Sequence, residues 1–175
     1  MNNEGIQIRM NDARWHLQKA MAYFMDKLLV WLPEYDELAE WLADNQGDGL
    51  LIMGYCGLGK TVFATQVLPA LLKKYCRKGA LVLRATEINQ HIREIKDAGI
   101  VVLDDIGTET ELNDYGIKSW AFSDIMDHAE QKNRLIIITT NLDTQELLKR
   151  YGTRTADRLR RLCKPVTLHE TYTLR

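Results

Sequence analysis

Gly54-Tyr55-Cys56-Gly57-Leu58-Gly59-Lys60-Thr61 satisfies the pattern G-x-x-x-x-G-K-[ST] at every required position. Both flanks suit it. Gly49-Leu50-Leu51-Ile52-Met53 before it is a short apolar run bounded by glycine, which reads as a buried strand. After it, Val62, Phe63, Val67, Leu68, Leu71 and Leu72 recur at helical spacing up to Lys74. A strand feeding a glycine-rich turn and then a helix points backbone N–H groups at one place. The helix N-terminus adds partial positive charge there, and the two together hold a phosphate chain. The nucleotide-contact residues on this reading are Gly54, Tyr55, Cys56, Gly57, Leu58, Gly59, Lys60, Thr61 and Val62. Lys60 reaches the β and γ phosphates, and Thr61 offers its hydroxyl to Mg2+. A chance glycine-rich turn is the competing reading, and the agreement of both flanks argues against it.

Composition narrows the class. A chain of 175 residues is long enough for one domain with a sizeable core. A net charge of −1 argues against coating nucleic acid by bulk charge. The polar start from Met1 to Gln7 is no signal peptide, and the apolar runs are too short to span a bilayer, so a cytoplasmic protein without a membrane partner is expected. Cys56, Cys76 and Cys163 are odd in number and lack C-x-x-C spacing, so they read as reduced thiols. Cys56 sits inside the phosphate loop, where its modification should block the nucleotide.

The body alternates strands and helices. The pattern predicts strands at 80–84, 100–103, 135–140 and 165–168, and helices at 87–96, 117–131, 145–151 and 155–163. Such alternation implies a parallel sheet covered on both faces, with the ligand site at the carboxyl ends of the strands. Before this body, residues 1–48 form a helical lead. Trp15, Met21, Phe24, Met25, Leu28, Trp31 and Leu32 recur at three- and four-residue steps, capped by Asn11 or Asp12 and ended, or followed by a new helix, at Pro33. Leu38, Trp41 and Leu42 mark a second short helix. The stripe is expected to pack on its own domain in preference to docking a partner.

Three further motifs carry chemistry. Ile100-Val101-Val102-Leu103-Asp104-Asp105 is an apolar strand ending in acids. Asp104 is placed to hold Mg2+ through water opposite Thr61, and Asp105 to orient an attacking water. Asn141 ends the run Leu135–Thr140, within reach of the γ-phosphate or that water, although asparagine also commonly begins a loop. Tyr151 to Arg161, with Lys149, Arg150 and Lys164, is the most basic stretch, whereas 97–127 is the most acidic. Basic and acidic flanks on one neutral protein suggest head-to-tail self-association. Arg154 and Arg158 share a helix face, and arginine stabilises phosphoryl-transfer charge, often from a neighbouring subunit. A solvated charged helix face is the plainer alternative.

Taken in order, Gly54 to Thr61, Val101 to Gly107, Ile138 to Leu142 and Gly152-x-Arg154-x-x-Asp157-Arg158-Leu159 resemble the DnaC/IstB-like branch of AAA+ ATPases. The likeness runs from Gly49 to the C-terminus. It implies an α/β P-loop fold with a five-stranded parallel sheet of order 5-1-4-3-2, an ATPase core at 49–175, and ATP with Mg2+ as ligands. It implies Asn141 as the sensor-1 residue and Arg158 as the arginine finger, with Arg154 second. It implies a helicase loader of a phage or mobile element, working in DNA replication with a replicative helicase and single-stranded DNA. A transposase-helper ATPase is the first alternative, and a small P-loop kinase or a non-hydrolysing nucleotide-dependent module are alternatives of other classes. The chain departs from the branch in carrying Asp105 where most AAA+ proteins have glutamate, in its short lead, and in the short segment between its second strand and Asp104.

Overall fold

A computed structural model describes residues 5–25 and 29–169 of the chain. Leu28 of the predicted stripe lies outside them. The elements run α1 (Ala13–Met25), α2 (Glu34–Ala43), β1 (Gly49–Gly54), α3 (Lys60–Val62), α4 (Leu68–Leu71), β2 (Leu81–Arg84), α5 (Ile92–Asp97), β3 (Ile100–Ile106), β4 (Leu112–Asp114), β5 (Ile117–Ser119), α6 (Ala121–Lys132), β6 (Leu135–Thr140), α7 (Thr144–Leu162) and β7 (Cys163–Leu168). Between α3 and α4, and again after α4, the phosphate-loop helix widens into π turns over Phe63–Val67 and Leu72–Cys76. Pro69 has no N–H to return to Thr65, and a wider turn before it relieves the ring's clash with the preceding carbonyl.

Five strands form one parallel sheet in the order β2-β3-β6-β1-β7. Read from the β7 edge and counting only these five, the order is the expected 5-1-4-3-2. The unexpected element is the antiparallel β4–β5 hairpin. It replaces the first part of the helix predicted over 117–131, which begins only at Ala121. The cause is a two-residue turn with positive φ at both Tyr115 and Gly116, and Gly116 N–H donates to Asn113 Oδ1 at 3.1 Å. Tyr-Gly is a weaker hairpin signal than Asn-Gly or Asp-Gly, so the periodicity beyond it reads as helix. The helix predicted over 87–96 is likewise divided, a 3-10 turn Ala85–Gln90 being separated from α5 at His91.

Side chains alternate across the sheet as the pleat requires. Leu50, Ile52, Ile100, Val102, Leu135, Ile137, Val166 and Leu168 face one layer. Leu51, Met53, Val101, Leu103, Ile136 and Ile138 face the other, beneath α6 and α7. The first layer holds the phosphate-loop helix together with Ala13, Leu17 and Met21 of α1 and Tyr35, Leu38, Trp41 and Leu42 of α2. The lead therefore shares a core with the sheet. Its buried face differs from the predicted stripe, since Trp15 is exposed and Leu17 is buried. Pro33 opens α2, and α1 begins directly after Asp12, whose carbonyl accepts from the His16 N–H at 3.1 Å. Among the described residues no helix is long and apolar enough to cross a membrane.

Candidate functional site

The carboxyl ends of β1, β3 and β6 converge, because the three strands are neighbours and parallel. β1 ends at Gly54, where φ is +133°, and a Cβ there would collide with the Leu168 carbonyl of β7. Glycine is required on both counts. The loop then turns through Tyr55, Cys56, Gly57 and Leu58 to Gly59, which precedes the first helical residue, Lys60. Tyr35 Oη of α2 donates to the Leu58 carbonyl at 3.0 Å and ties the lead to the loop.

Lys60 is buried although charged. Its ammonium donates to the carbonyls of Gly54 and Tyr55 at 2.6 and 2.7 Å, and to Asn141 Oδ1 at 2.9 Å. Burial lowers its pKa, while the nearby Cys56, Asp105 and Asp104 act in the opposite direction. The Asn141 amide then donates to Asp105 Oδ1 at 3.0 Å. Lys60, Asn141 and Asp105, far apart in sequence, thus form one hydrogen-bonded chain. A cleft of about 380 Å³ opens over them, lined also by Cys56, Gly57, Thr61 and Thr139 and by Phe24 and Met25 of α1.

Asp104 lies near the carboxyl end of β3, two residues before its last, and is 4% exposed. Asp105 follows it at φ +62°. Asp104 and the exposed Thr61 offer a carboxylate and a hydroxyl, both hard oxygen donors of the kind Mg2+ takes. Among the described residues no cage of three or more His, Cys, Asp or Glu forms. Mg2+ in phosphate sites ordinarily takes one or two carboxylates and completes its shell with phosphate and water, so the donor set suits it.

The basic box lies elsewhere, on α7, and neither Arg154 nor Arg158 lines this cleft. Arg158 is only 8% exposed and holds Asp127 at 2.8 Å and Glu130 at 2.9 Å, both on α6. The Arg154 side chain is 77% exposed and touches Asp127 at 3.1 Å. Arg161 adds a second contact to Glu130 at 2.6 Å. Asp127 of the acidic segment therefore meets Arg154 and Arg158 of the basic one within one chain, and with Glu130 these contacts hold α6 against α7.

Two features of the site carry no sequence signal. Thr139, directly after the apolar run Leu135–Ile138, donates to Asp104 Oδ1 at 2.7 Å and accepts from the Asp105 N–H at 2.8 Å. Glu109 is buried on the loop after β3, accepts from Gly107 N–H at 2.8 Å and from Tyr151 Oη, and its carbonyl accepts from Arg150 at 2.6 Å. Burial and the Glu109 carboxylate push the Tyr151 phenol pKa up. This cluster ties the loop after the aspartates to α7 just ahead of Arg154. The spacing Glu109–Tyr151 has no motif to reveal it.

A family model described as Novel STAND NTPase 3 matches residues 29–172. No curated protein sequence matches the chain. Among solved structures, DnaI superposes with a TM-score of 0.57 at 21% identity, covering 90% of this chain and 85% of that one. A DnaC helicase loader gives 0.57 at 20% identity, covering 91% and 92%. Domain III of the replication initiation protein DnaA from Thermotoga maritima gives 0.59 at 14% identity, covering 91% and 68%. At such identities the likeness is one of fold, and it agrees with the α/β P-loop architecture expected from the motifs.

Proposed function

This chain belongs to the Novel STAND NTPase 3 family, and from that premise we propose that it binds and hydrolyses ATP with Mg2+ as a DnaC-like helicase loader of a phage or mobile element. The observation that carries the chemistry is the chain Lys60–Asn141–Asp105 at the strand ends. A triphosphate entering the cleft takes Lys60 from the loop carbonyls, so its γ-phosphate lies beside Asn141 and next to the Asp105 carboxylate. Asp105 then orients and polarises the attacking water. Thr61 and Asp104 would hold Mg2+, which neutralises phosphate charge. Phe24 and Met25 offer the base an apolar wall. We assign residues 49–175 to the ATPase core and 1–48 to a helical extension that docks on it.

The loader role is supported by the fold shared with DnaI and a DnaC helicase loader. A replicative helicase on single-stranded DNA is the partner in this reading, and the cytoplasm its compartment. Arg154, the more exposed of the two arginines, is here the better candidate to reach a neighbouring subunit's γ-phosphate.

A phosphate-release assay without any acceptor tests the chemistry. Wild type should release phosphate from ATP in Mg2+, Lys60→Ala should lose ATP binding, and Asp105→Asn should bind ATP but lose most turnover. Asp104→Asn should weaken the Mg2+-dependent part of binding. Turnover only with an added acceptor would make the protein a kinase. Comparable ATP affinity in Lys60→Ala would sink the site. Co-purification with a transposase in place of a helicase would select the transposase-helper reading.

A further inference from the structure

Two successive residues of a regular strand point to opposite faces, so an Asp-Asp pair on an unbroken β3 could not serve one site. The ladder between β3 and β6 breaks at this point. Leu103 pairs with Ile138 and Ile106 with Thr140, so two residues, Asp104 and Asp105, stand opposite the single residue Thr139. This is a β-bulge, which re-aims side chains beside a site. Its strained member is Asp105, a non-glycine residue at φ +62°.

Two hydroxyls replace the ladder bonds that the bulge removes. Thr139 is 1% exposed, and it serves both aspartates at once, through Asp104 Oδ1 at 2.7 Å and the Asp105 N–H at 2.8 Å. Thr140, fully buried, donates to the Ile106 carbonyl at 2.6 Å and closes the far end of the bulge. A threonine hydroxyl has one proton to give and lone pairs to accept with. Thr139 spends its proton on Asp104 Oδ1, which leaves Oδ2 as that carboxylate's other acceptor. By accepting from Asp105 N–H, it holds the backbone turn that brings the Asp105 carboxylate to the Asn141 amide.

We propose that Thr139 is the positioning residue of the two-aspartate site, its hydroxyl holding the β3 bulge so that Asp104 and Asp105 face the same nucleotide. The inference rests on the reading of those acids given above. Thr139 lines the cleft, but its hydroxyl is engaged by Asp104 and by the Asp105 amide, so it acts through them.

The test compares Thr139→Val and Thr139→Ala, which lack the hydroxyl, with Thr139→Ser, which keeps it, all in the full chain. The first readout needs no nucleotide, namely hydrogen exchange of the Asp105 backbone amide. It should speed up by about tenfold or more in the Val and Ala variants and stay near wild type in Ser. The second is turnover. It should fall by about 10–100-fold without the hydroxyl, with KM for ATP within about threefold, and the Mg2+ concentration for half-maximal rate should rise. Ser should restore turnover to within about threefold of wild type. Unchanged Asp105 exchange in the Val variant, or a Ser variant as impaired as Val, overturns the proposal. Failure of both hydroxyl-free variants to fold also overturns it, since the hydroxyl would then be a stability element only. A wild type that hydrolyses no nucleoside triphosphate defeats the functional reading instead, and the amide readout still judges Thr139 by itself.

Discussion

The three cysteines sit in three different environments, and their chemistry should differ accordingly. Cys56 is exposed on the phosphate loop, and Cys163 is buried against the Ile136 carbonyl. Burial, helped by Asp48, pushes the Cys163 thiol up to about 12. The thiolate is the reactive form, so at neutral pH Cys163 should resist alkylation while Cys56 reacts. Mass spectrometry after a brief maleimide pulse should find the label on Cys56, and saturating ATP should suppress it. Labelled Cys56 that still binds ATP with unchanged affinity would place the phosphates elsewhere. Lys60 shows the same dependence on surroundings. Its carbonyl contacts at Gly54 and Tyr55 compensate its burial, and a triphosphate must offer more than these to draw it out.

At the scale of elements, α7 is the most informative. It bends at Gly152, whose φ of +81° and ψ of 168° lie in a region open essentially to glycine alone. A Cβ there would meet nothing within 4 Å, so the cost of Gly152→Ala is purely conformational. It should destabilise the fold by about 1–3 kcal/mol, read as a lower melting temperature. An unchanged melt would mean that the bend is not required. Beyond the bend, α7 is held to α6 by charge. Burial raises the Glu130 carboxyl, but hydrogen bonds from Arg158 and Arg161 outweigh it and hold its pKa below the usual 4.5. A depressed folded pKa means stability that is full above the unfolded value and is lost as pH falls through the folded one. Acidification below about 4.5 should therefore loosen the α6–α7 contact, and Glu130→Gln should flatten that dependence. Identical acid transitions in the two proteins would show that the pair contributes nothing.

At the scale of the whole molecule, a second subunit is expected to complete the site. Among the described residues the cleft holds Lys60, Asp105 and Asn141 but no arginine. Phosphoryl-transfer sites commonly receive one from a second subunit, and its loss typically costs ~10³–10⁵ in turnover. Arg154→Ala should bind ATP and be nearly inactive. Mixed with Lys60→Ala, it should regain part of the activity, because some interfaces then join an intact Lys60 to an intact Arg154. Turnover should rise more than linearly with protein concentration and fall with salt. A dead mixture, beside a wild type that hydrolyses ATP as a dilute monomer, would leave α7 as a partner surface. Arg158→Ala is the control, because its losses should be seen first in folding, through Asp127 and Glu130.

The strand order came from the family resemblance; the sequence by itself determined the phosphate loop, the parallel strands, the acids near the carboxyl end of β3 and the asparagine that follows β6. Each of these is a local pattern, in which glycine spacing, period-2 or helical periodicity, or a polar residue at the tip of an apolar run fixes the outcome within a few residues. The tertiary structure alone decided what joins distant segments. Thr139 and Asp104 are 35 residues apart, Glu109 and Tyr151 42, Arg158 and Glu130 28. Only folding could reveal that a threonine in an apolar strand holds two aspartates, that a buried glutamate braces the loop after them, or that Arg158 is occupied within its own chain. The lead was legible as helices, but the burial of Leu17 and the exposure of Trp15 were not. Which face of a helix is buried depends on the surface it meets, and for α1 that surface is α2 and the phosphate-loop helix.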